Sequence, residues 1–404
     1  MKVLVAHPGT QHAPRLAREL AQRDLLGKFR TGVAFAEGGP AAAFARACAR
    51  WPAVGGLATR IVTGIPPARL GTMPLGEVMA LLRMQAGQEP HRTLHHRNQV
   101  FQERIPDREL RENDAVIAFD TSAWILAARA RRANRPLFLD RTIAHPAAYA
   151  GIMSKFNREY PDWAEPVESR PAEVAAAEAS EHDLAHRIVV GGSFARDTLV
   201  EEGIAAEKIR VNPYGVDWSR FAAPPVSSTA ARPFRFLFVG AVLARKGIPV
   251  LFEAWRRWAP KDAELWIAGS IGPRERRLIP DLPGLRILGQ VQREDVPALY
   301  AQADVFVLPS LFEGFGLVLL EALASGLPVI STGHTGAVEL LRDASLGEMV
   351  AAGSVDELAA ALQRWQAAPG AHRAKVMAVR QRLEVEFSWN AYGDRWVRLL
   401  EEKG

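Results

Sequence analysis

Asp304-Val-Phe-Val-Leu308-Pro-Ser310-Leu-Phe-Glu313-Gly314-Phe315-Gly316-Leu317-Val318-Leu-Leu-Glu321-Ala-Leu-Ala-Ser-Gly326-Leu-Pro328-Val-Ile330 decides the fold. A short apolar run, Asp304–Leu308, has the length of a buried strand. A glycine-rich loop follows it, a helix is expected over Val318–Ala324, and Pro328–Ile330 opens the next strand. Free amides and the positive end of the dipole at such a helix start suit a diphosphate. Glycines let the backbone approach that ligand closely. Glu313 in the loop and Glu321 one turn into the helix are poor phosphate ligands but good acceptors from vicinal sugar hydroxyls.

Working outward, the same alternation recurs on both sides. Strands are expected at Arg235–Gly240, Glu264–Gly269, Leu285–Gly289 and Gly347–Val350, with helices at Pro249–Trp258, Glu294–Ala303 and Val355–Gln366. Ser354 and Glu357 stand at capping-box spacing before the last of these. Short apolar strands alternating with amphipathic helices mean a parallel sheet covered on both faces. The first half repeats the theme with strands at Val3–Ala6, Ala115–Phe119, Leu137–Leu139 and Arg187–Val190, and a helix near Arg15–Gln22. The pattern weakens from Pro66 to Asp107, where helices and loops peculiar to this chain are expected. Ala222–Ala231 is rich in Pro, Ser and Ala without periodicity and reads as a linker. Ligands of α/β proteins bind at the carboxyl ends of parallel strands, so two such domains leave a cleft between two such edges.

Length agrees: 404 residues exceed one ordinary core. Hydrophobic residues at 48% and charged residues at 24% describe a folded chain, not a disordered one. No apolar run approaches the ~20 residues that span a bilayer, no signal peptide is evident, and a cytoplasmic protein is expected. The single Cys48 excludes an intrachain disulfide and a Cys-based metal cluster, and reads as a half-buried thiol rather than a nucleophile. The net charge of +5 hides an asymmetry: residues 1–158 carry 23 Lys and Arg against 12 Asp and Glu, residues 159–220 carry 6 against 13. A basic first part favours phosphates, acidic glycans or an anionic membrane surface, although arginine on solvated faces accounts for it equally. Nucleic acid is not an expected partner. His91 and His95 are spaced i,i+4, yet the interleaved Arg92 and Arg97 argue against a divalent ion and for a basic helix. Arg129–Arg135 reads as the solvated end of a helix.

The pattern E-G-F-G-L-x-x-x-E-A-x-A-x-G-x-P-V, running from Glu313 to Val329, resembles the donor-site signature of the family 4 (group 1) retaining glycosyltransferases of GT-B fold. The resemblance implies two Rossmann-like, doubly wound domains: an acceptor-binding one at 1–222 and a nucleotide-sugar-binding one at 232–387. The last helix, within 388–404, crosses back to the first. It assigns Glu313 to donor sugar hydroxyls and Glu321 to the ribose, with Gly314, Phe315, Gly316, Leu317 and Val318 giving main-chain contacts. Val239-Gly240-Ala241-Val-Leu-Ala-Arg245-Lys246-Gly247 is similar to the family's pyrophosphate loop, with Lys246 on its lysine. The family's arginine falls on Ala241, a departure that Arg245 is placed to offset. Cations serve there because a departing diphosphate builds negative charge. Gly289, Gln290 and Val291 resemble the segment that recognises the base, Gly9 matches the phosphate-facing loop of the first domain, and His145 in Leu139-Asp140-Arg141-Thr-Ile-Ala-His145-Pro146 resembles the active-site histidine. His7 and His12 beside Gly9 read as polar loop residues.

The expected activity is thus retaining, metal-independent transfer of a hexose from a UDP- or GDP-sugar to a hydroxyl acceptor, in surface polysaccharide or glycoconjugate biosynthesis. Catalysis would rest on His145, Lys246 and Glu313. No cofactor or metal is expected, and the chain lacks an Asp-x-Asp motif. Two rival readings stay open: a GT-B nucleotide-sugar epimerase, and an inactive nucleotide-sugar-binding subunit.

Overall fold

The computed structural model describes residues 1–9, 11–47, 59–167, 170–221, 232–368 and 372–402. Cys48 and the linker expected at Ala222–Ala231 lie outside the described residues. The first sheet is built from β1 (Val3–His7), β2 (Leu26–Thr31), β5 (Leu70–Thr72), β6 (Ala115–Phe119), β7 (Leu137–Arg141), β8 (Arg187–Val190) and β9 (Ile209–Val211). Two short strands, β3 (Phe35–Ala36) and β4 (Ile61–Val62), pair with each other beside it. The second sheet holds β10 (Phe234–Val239), β11 (Ala263–Ala268), β12 (Leu285–Gly289), β13 (Val305–Leu308), β14 (Val329–Thr332) and β15 (Gly347–Val350).

Both sheets are parallel throughout, ordered β5-β2-β1-β6-β7-β8-β9 and β12-β11-β10-β13-β14-β15. In each the order reverses direction after the first strand, between β1 and β6 and between β10 and β13. Those switch points open a crevice at the carboxyl ends, the place where such sheets take ligands. The expected pair of doubly wound domains is therefore present. Strands β1, β6, β7 and β13 are buried along their whole length, as strands covered by helices on both faces must be.

Boundaries moved only where local chemistry explains it. The helix expected from Glu294 begins at Val296, with Pro297 in its first turn. Ser354 caps Val355–Ala367 by accepting from Glu357 N–H, but the Glu357 carboxylate reaches past the cap to Ala351 N–H at 2.8 Å. Arg129 does not lie on a solvated face: its guanidinium donates to the carbonyls of Gln102 and Ile105 and to Asp107.

The helix Trp389–Glu401 packs on Ala13–Gln22 of the first lobe. Arg23 binds Asp394 at 2.7 Å, Arg395 donates to Asn212 at 2.7 Å, and Tyr392 OH donates to Asp140 at 3.2 Å. In the second lobe Trp255 is fully buried, its indole N–H on Pro283 O at 2.8 Å and its ring edge-on to Phe236 and Trp258. Trp255→Ala removes that packing and strands the Pro283 carbonyl, and is expected to cost about 3–5 kcal/mol in urea unfolding. A loss below about 1 kcal/mol would contradict the packing described.

Candidate functional site

The loop after β10 and the loop after β13 cross at Gly247. Its φ is +73°, and a Cβ there would lie 1.9 Å from Pro309 O, so only glycine fits beneath the second loop. Leu311 N–H donates to Arg245 O at 2.8 Å, fixing the two loops together. The crossing places Lys246 Nζ against Glu313 Oε2 in an ion pair, with both side chains mostly buried. Burial lowers the Lys246 pKa below its usual value, opposed by Glu313. Arg245 adds a second cation: its Nη1 stands 3.7 Å from Glu313 Oε2 and donates to Phe312 O at 3.4 Å. Ala241 contributes no charge, so the cations of this loop are Arg245 and Lys246.

Gly316 has φ +83° and starts the helix Leu317–Ala324, leaving the first-turn amides of Leu317 and Val318 open to the cleft. Deeper in that helix Glu321 accepts from Tyr300 OH at 3.2 Å, and Tyr300 also reaches Val318 O at 3.3 Å. Burial pushes the Glu321 carboxyl above the usual range; Tyr300, Arg220 and Arg293 oppose it. Gly240 ends β10, where its carbonyl is so close to Gly269 that a Cβ on Gly269 would lie 1.8 Å from it. Gly289 has φ +69° with open space around it, Gln290 is exposed, and Val291 is half-buried against the core.

The other lobe meets this loop through a close backbone approach and through rings. A Cβ on Gly314 would lie 2.1 Å from Thr142 O, and the Phe315 ring packs edge-on against Tyr214 at 5.4 Å. His145 follows β7 as the N-cap of Pro146–Glu159, its Nδ1 accepting from Ala147 N–H at 3.2 Å. Burial first, then Arg141, lowers its pKa, so the ring is neutral near pH 7 with the proton on Nε2. His145 lines a cavity of about 1050 Å³ together with Tyr149, Glu178, His182, Lys208, Arg245 and Phe312. Lys246, Glu313 and Arg245 therefore come together, Arg245 lines the same cavity as His145, and Gly9 follows β1 against the His7 ring.

The loop histidines are buried, contrary to the polar-surface expectation. His7 packs at 4.6 Å on Phe119, and a Cβ on Gly9 would lie 2.8 Å from His7 Nε2. His12 Nε2 binds Asp140 Oδ2 at 2.8 Å, and its ring lies 4.4 Å from Tyr214. Asp140, Tyr214 and Tyr392 were not identified from the sequence. Asp140 lies inside the motif quoted for His145 without a role assigned to it, and the 128 residues between it and His12 hid their pairing. His91 lines the cavity and His95 stacks on Trp124 at 4.7 Å, both half-buried, while Arg92 and His96 of the same helix are exposed. Among the described residues no three His, Cys, Asp or Glu side chains converge into a metal-binding group.

Comparisons with known proteins follow this geometry. Residues 233–367 match the family model described as Glycosyl transferases group 1. The amylovoran biosynthesis glycosyltransferase AmsK of Erwinia amylovora is 30% identical over 217 residues, 50% of this chain and 53% of that protein. The GDP-mannose-dependent monoacylated alpha-(1-6)-phosphatidylinositol monomannoside mannosyltransferase of Corynebacterium glutamicum is 33% identical over 213 residues, 47% of this chain and 55% of that one. The chain spans about half the length of the curated relatives it matches. Over the whole chain the fold is shared with sucrose-phosphate synthase from Thermosynechococcus elongatus, at TM-score 0.71, 18% identity and coverage of 99% and 98%. Anabaena Alr3699/HepE in complex with UDP-glucose gives TM-score 0.62, 18% identity and 99% coverage of both chains. The fold is GT-B, and the second lobe carries a glycosyl transferases group 1 domain.

Two buried histidines set an acid limit on the molecule. Burial lowers His7 and His182 from 6.5 to about 3. Each takes up a proton on unfolding below about pH 6.5, so the stability they contribute falls as pH drops from there toward 3. Thermal melts between pH 7 and 5 should show this loss, and His182→Gln should flatten it. An unchanged slope in that variant would contradict the burial assigned to His182.

Proposed function

We propose that this chain is a retaining, metal-independent glycosyltransferase that moves a hexose from a UDP- or GDP-sugar to a hydroxyl acceptor in polysaccharide or glycolipid biosynthesis. The contact of Lys246 and Glu313 across two crossing glycine loops, at the switch point of a parallel sheet, carries this reading. The diphosphate lies over the Leu317 helix start, with Lys246 and Arg245 on its oxygens. Its arrival draws Lys246 from Glu313, which turns to the sugar hydroxyls. Glu321 takes the ribose, and the loop Gly289–Val291 borders the base. His145 offers its Nε2–H to the sugar from the opposite lobe, and the acceptor enters through the cavity that His145 and Arg245 share.

Front-face displacement then needs no carboxylate nucleophile. The bond from the anomeric carbon to the diphosphate oxygen breaks, and the acceptor oxygen bonds to that carbon on the same face. The acceptor proton passes to the departing diphosphate. Lys246 and Arg245 stabilise the charge that builds on the leaving oxygen. An epimerase would consume donor with no acceptor present, and an inactive subunit would bind donor without consuming it.

Lys246→Ala and Glu313→Ala should each lower turnover of the preferred nucleotide sugar by about 10²–10³, read in a donor-hydrolysis and transfer assay across UDP- and GDP-sugars. Normal turnover in both variants would put the site elsewhere. Ionised, Glu321 can accept from both ribose hydroxyls; protonation reduces that acceptor capacity, and its raised pKa moves the loss upward. UDP or GDP affinity by calorimetry should therefore weaken as pH falls through a point above 4.5, and Glu321→Gln should remove that dependence.

Contact with an anionic membrane has its own support. No helix of the described residues is long and apolar enough to cross a membrane. The helix Pro74–Gln85, however, is inverted: Glu77 is buried between Arg60 and Arg97, while Leu75, Val78, Met79, Leu81 and Leu82 are exposed. Such a helix lies in a lipid interface. Flotation with phosphatidylcholine–phosphatidylglycerol vesicles should recover the protein, and Leu75→Ser with Leu82→Ser should cut the bound fraction at least about tenfold. Absence of binding by the unaltered chain would remove the membrane from this proposal.

A further inference from the structure

Glu339 belongs to the short helix Ala337–Leu340 of the second lobe and is 4% exposed. Its Oε1 crosses to the first lobe and accepts from Ser193 N–H at 2.7 Å. Ser193 opens the helix Ser193–Glu201, whose own N-cap, Gly192, has no side chain to serve that amide. The carboxylate of one lobe thus caps a helix of the other, where the dipole favours negative charge. Space for it is made by omission. A Cβ on Gly192 would lie 3.1 Å from Glu339 Oε2, and one on Gly191 would lie 2.8 Å from the Tyr214 ring.

The helix bearing Glu339 is also fastened to the donor loop. Gly336, its N-cap, donates its N–H to Phe315 O at 2.6 Å, and a Cβ on Gly336 would lie 2.5 Å from the Phe315 ring. The donor loop and Glu339 therefore move as one body. The capped helix is fastened in turn to the candidate histidine. Thr198, one turn further on, accepts the His145 N–H at 2.9 Å through Oγ1 and donates to Ala195 O at 2.9 Å. Phe194 stacks on His334 of the second lobe at 4.5 Å and 14°, which steadies the same helix end.

A cap alone would leave the second carboxylate oxygen in water. Glu339 Oε2 is instead buried with no hydrogen-bond partner. Leaving a buried acceptor unpaired is costly, and such cost marks a place where geometry is held for another reason. Burial accordingly pushes the Glu339 pKa upward, with the Ser193 N–H opposing.

We infer that Glu339 and Thr198 are positioning residues, linked through the helix Ser193–Glu201, that set His145 at a fixed place over the sugar held by the donor loop. This rests on the glycosyltransferase reading for its catalytic consequence, though not for the linkage itself. Every proposed donor contact except those of Gly9 and His145 lies in the second lobe. Breaking the linkage therefore leaves nucleotide binding in place and misplaces His145, and a misplacement of about 1 Å can cost about 10² in rate.

The test compares Glu339→Ala, Glu339→Gln, Thr198→Val and the Ala–Val double variant. Glu339→Ala and Thr198→Val should each lower kcat at least tenfold, with the Kd for UDP or GDP within twofold of the unaltered chain. Glu339→Gln keeps an oxygen for Ser193 N–H and should recover most of the rate. The double variant should be no slower than the slower single one, because both break one linkage. Hydrogen–deuterium exchange reads the linkage without activity: Glu339→Ala should speed exchange at Ser193 and at His145. Unchanged exchange at both, unchanged kcat, or strictly additive losses would overturn the inference. A chain that turns over no nucleotide sugar, yet shows the exchange response, would sink the function and leave the linkage standing.

Discussion

A lysine held out of water against a glutamate is the constraint on which the site depends. Neither Lys246 nor Glu313 could sit alone at that depth, since an unpaired buried charge is far more costly than a paired one. Each is carried by a different loop, so the pair also fixes how those loops cross. The crossing in turn demands glycine at 247, where a side chain would strike Pro309 O, and glycine at 316, where the chain must turn left-handed into its helix. Sequence, backbone conformation and charge placement are thus one requirement seen at three levels. The pair has a chemical consequence as well. Glu313 satisfies the lysine here; in the proposed reading a diphosphate would take over that role and free the carboxylate for hydroxyl groups.

The same economy of side chains governs the contact between lobes. Gly314 lies under Thr142 O, Gly191 and Gly192 under Tyr214 and Glu339, and Gly336 under Phe315. Glycines there let the facing carbonyls and rings close in, so that ring contacts such as Tyr214 on Phe315 and Tyr149 on Phe312 join the lobes together with a few polar bonds. The carboxy-terminal helix supplies a second tie on the far side, where Tyr392 joins the His12–Asp140 pair at the end of the first sheet. From His12 a run of rings continues through Tyr214 to Phe315 in the donor loop. This aromatic path joins His12 at the edge of the first sheet to the Glu313 loop of the second lobe.

The second lobe was legible in the sequence because its strands are continuous apolar runs and its loops carry glycines at positions that tolerate nothing else. The first was legible only where its strands are equally apolar. β2 was missed: Lys28 and Arg30 interrupt Leu26–Thr31, which lies one strand in from the edge strand β5. β5 and β9 are three residues each, too short to show a period. Site residues divide the same way. Glu313, Lys246 and Glu321 sit in local patterns, whereas His12 with Asp140 and Glu339 with Ser193 are pairs made only by folding. Their sequence separations, 128 and 146 residues, leave no local trace.

The charge asymmetry of the chain shows why counting is a poor guide to partners. Five arginines of residues 1–158 are engaged in internal pairs: Arg23 with Glu19 and Asp394, Arg30 with Glu109, Arg60 and Arg97 with Glu77, and Arg129 with Asp107. These arginines hold helices and strands together and present little free charge to a visitor. The cavity beside His145 is itself balanced, with Arg170, Lys208 and Arg245 set against Glu178, Asp183 and Glu202. His145 and His182 in it are held neutral by burial. In the proposed reading an acceptor entering there would meet hydroxyl-binding groups and alanine walls rather than a field of one sign. The proposed attraction to a lipid surface would then fall to apolar residues on Pro74–Gln85, where exposed leucine is the anomaly and buried glutamate its complement.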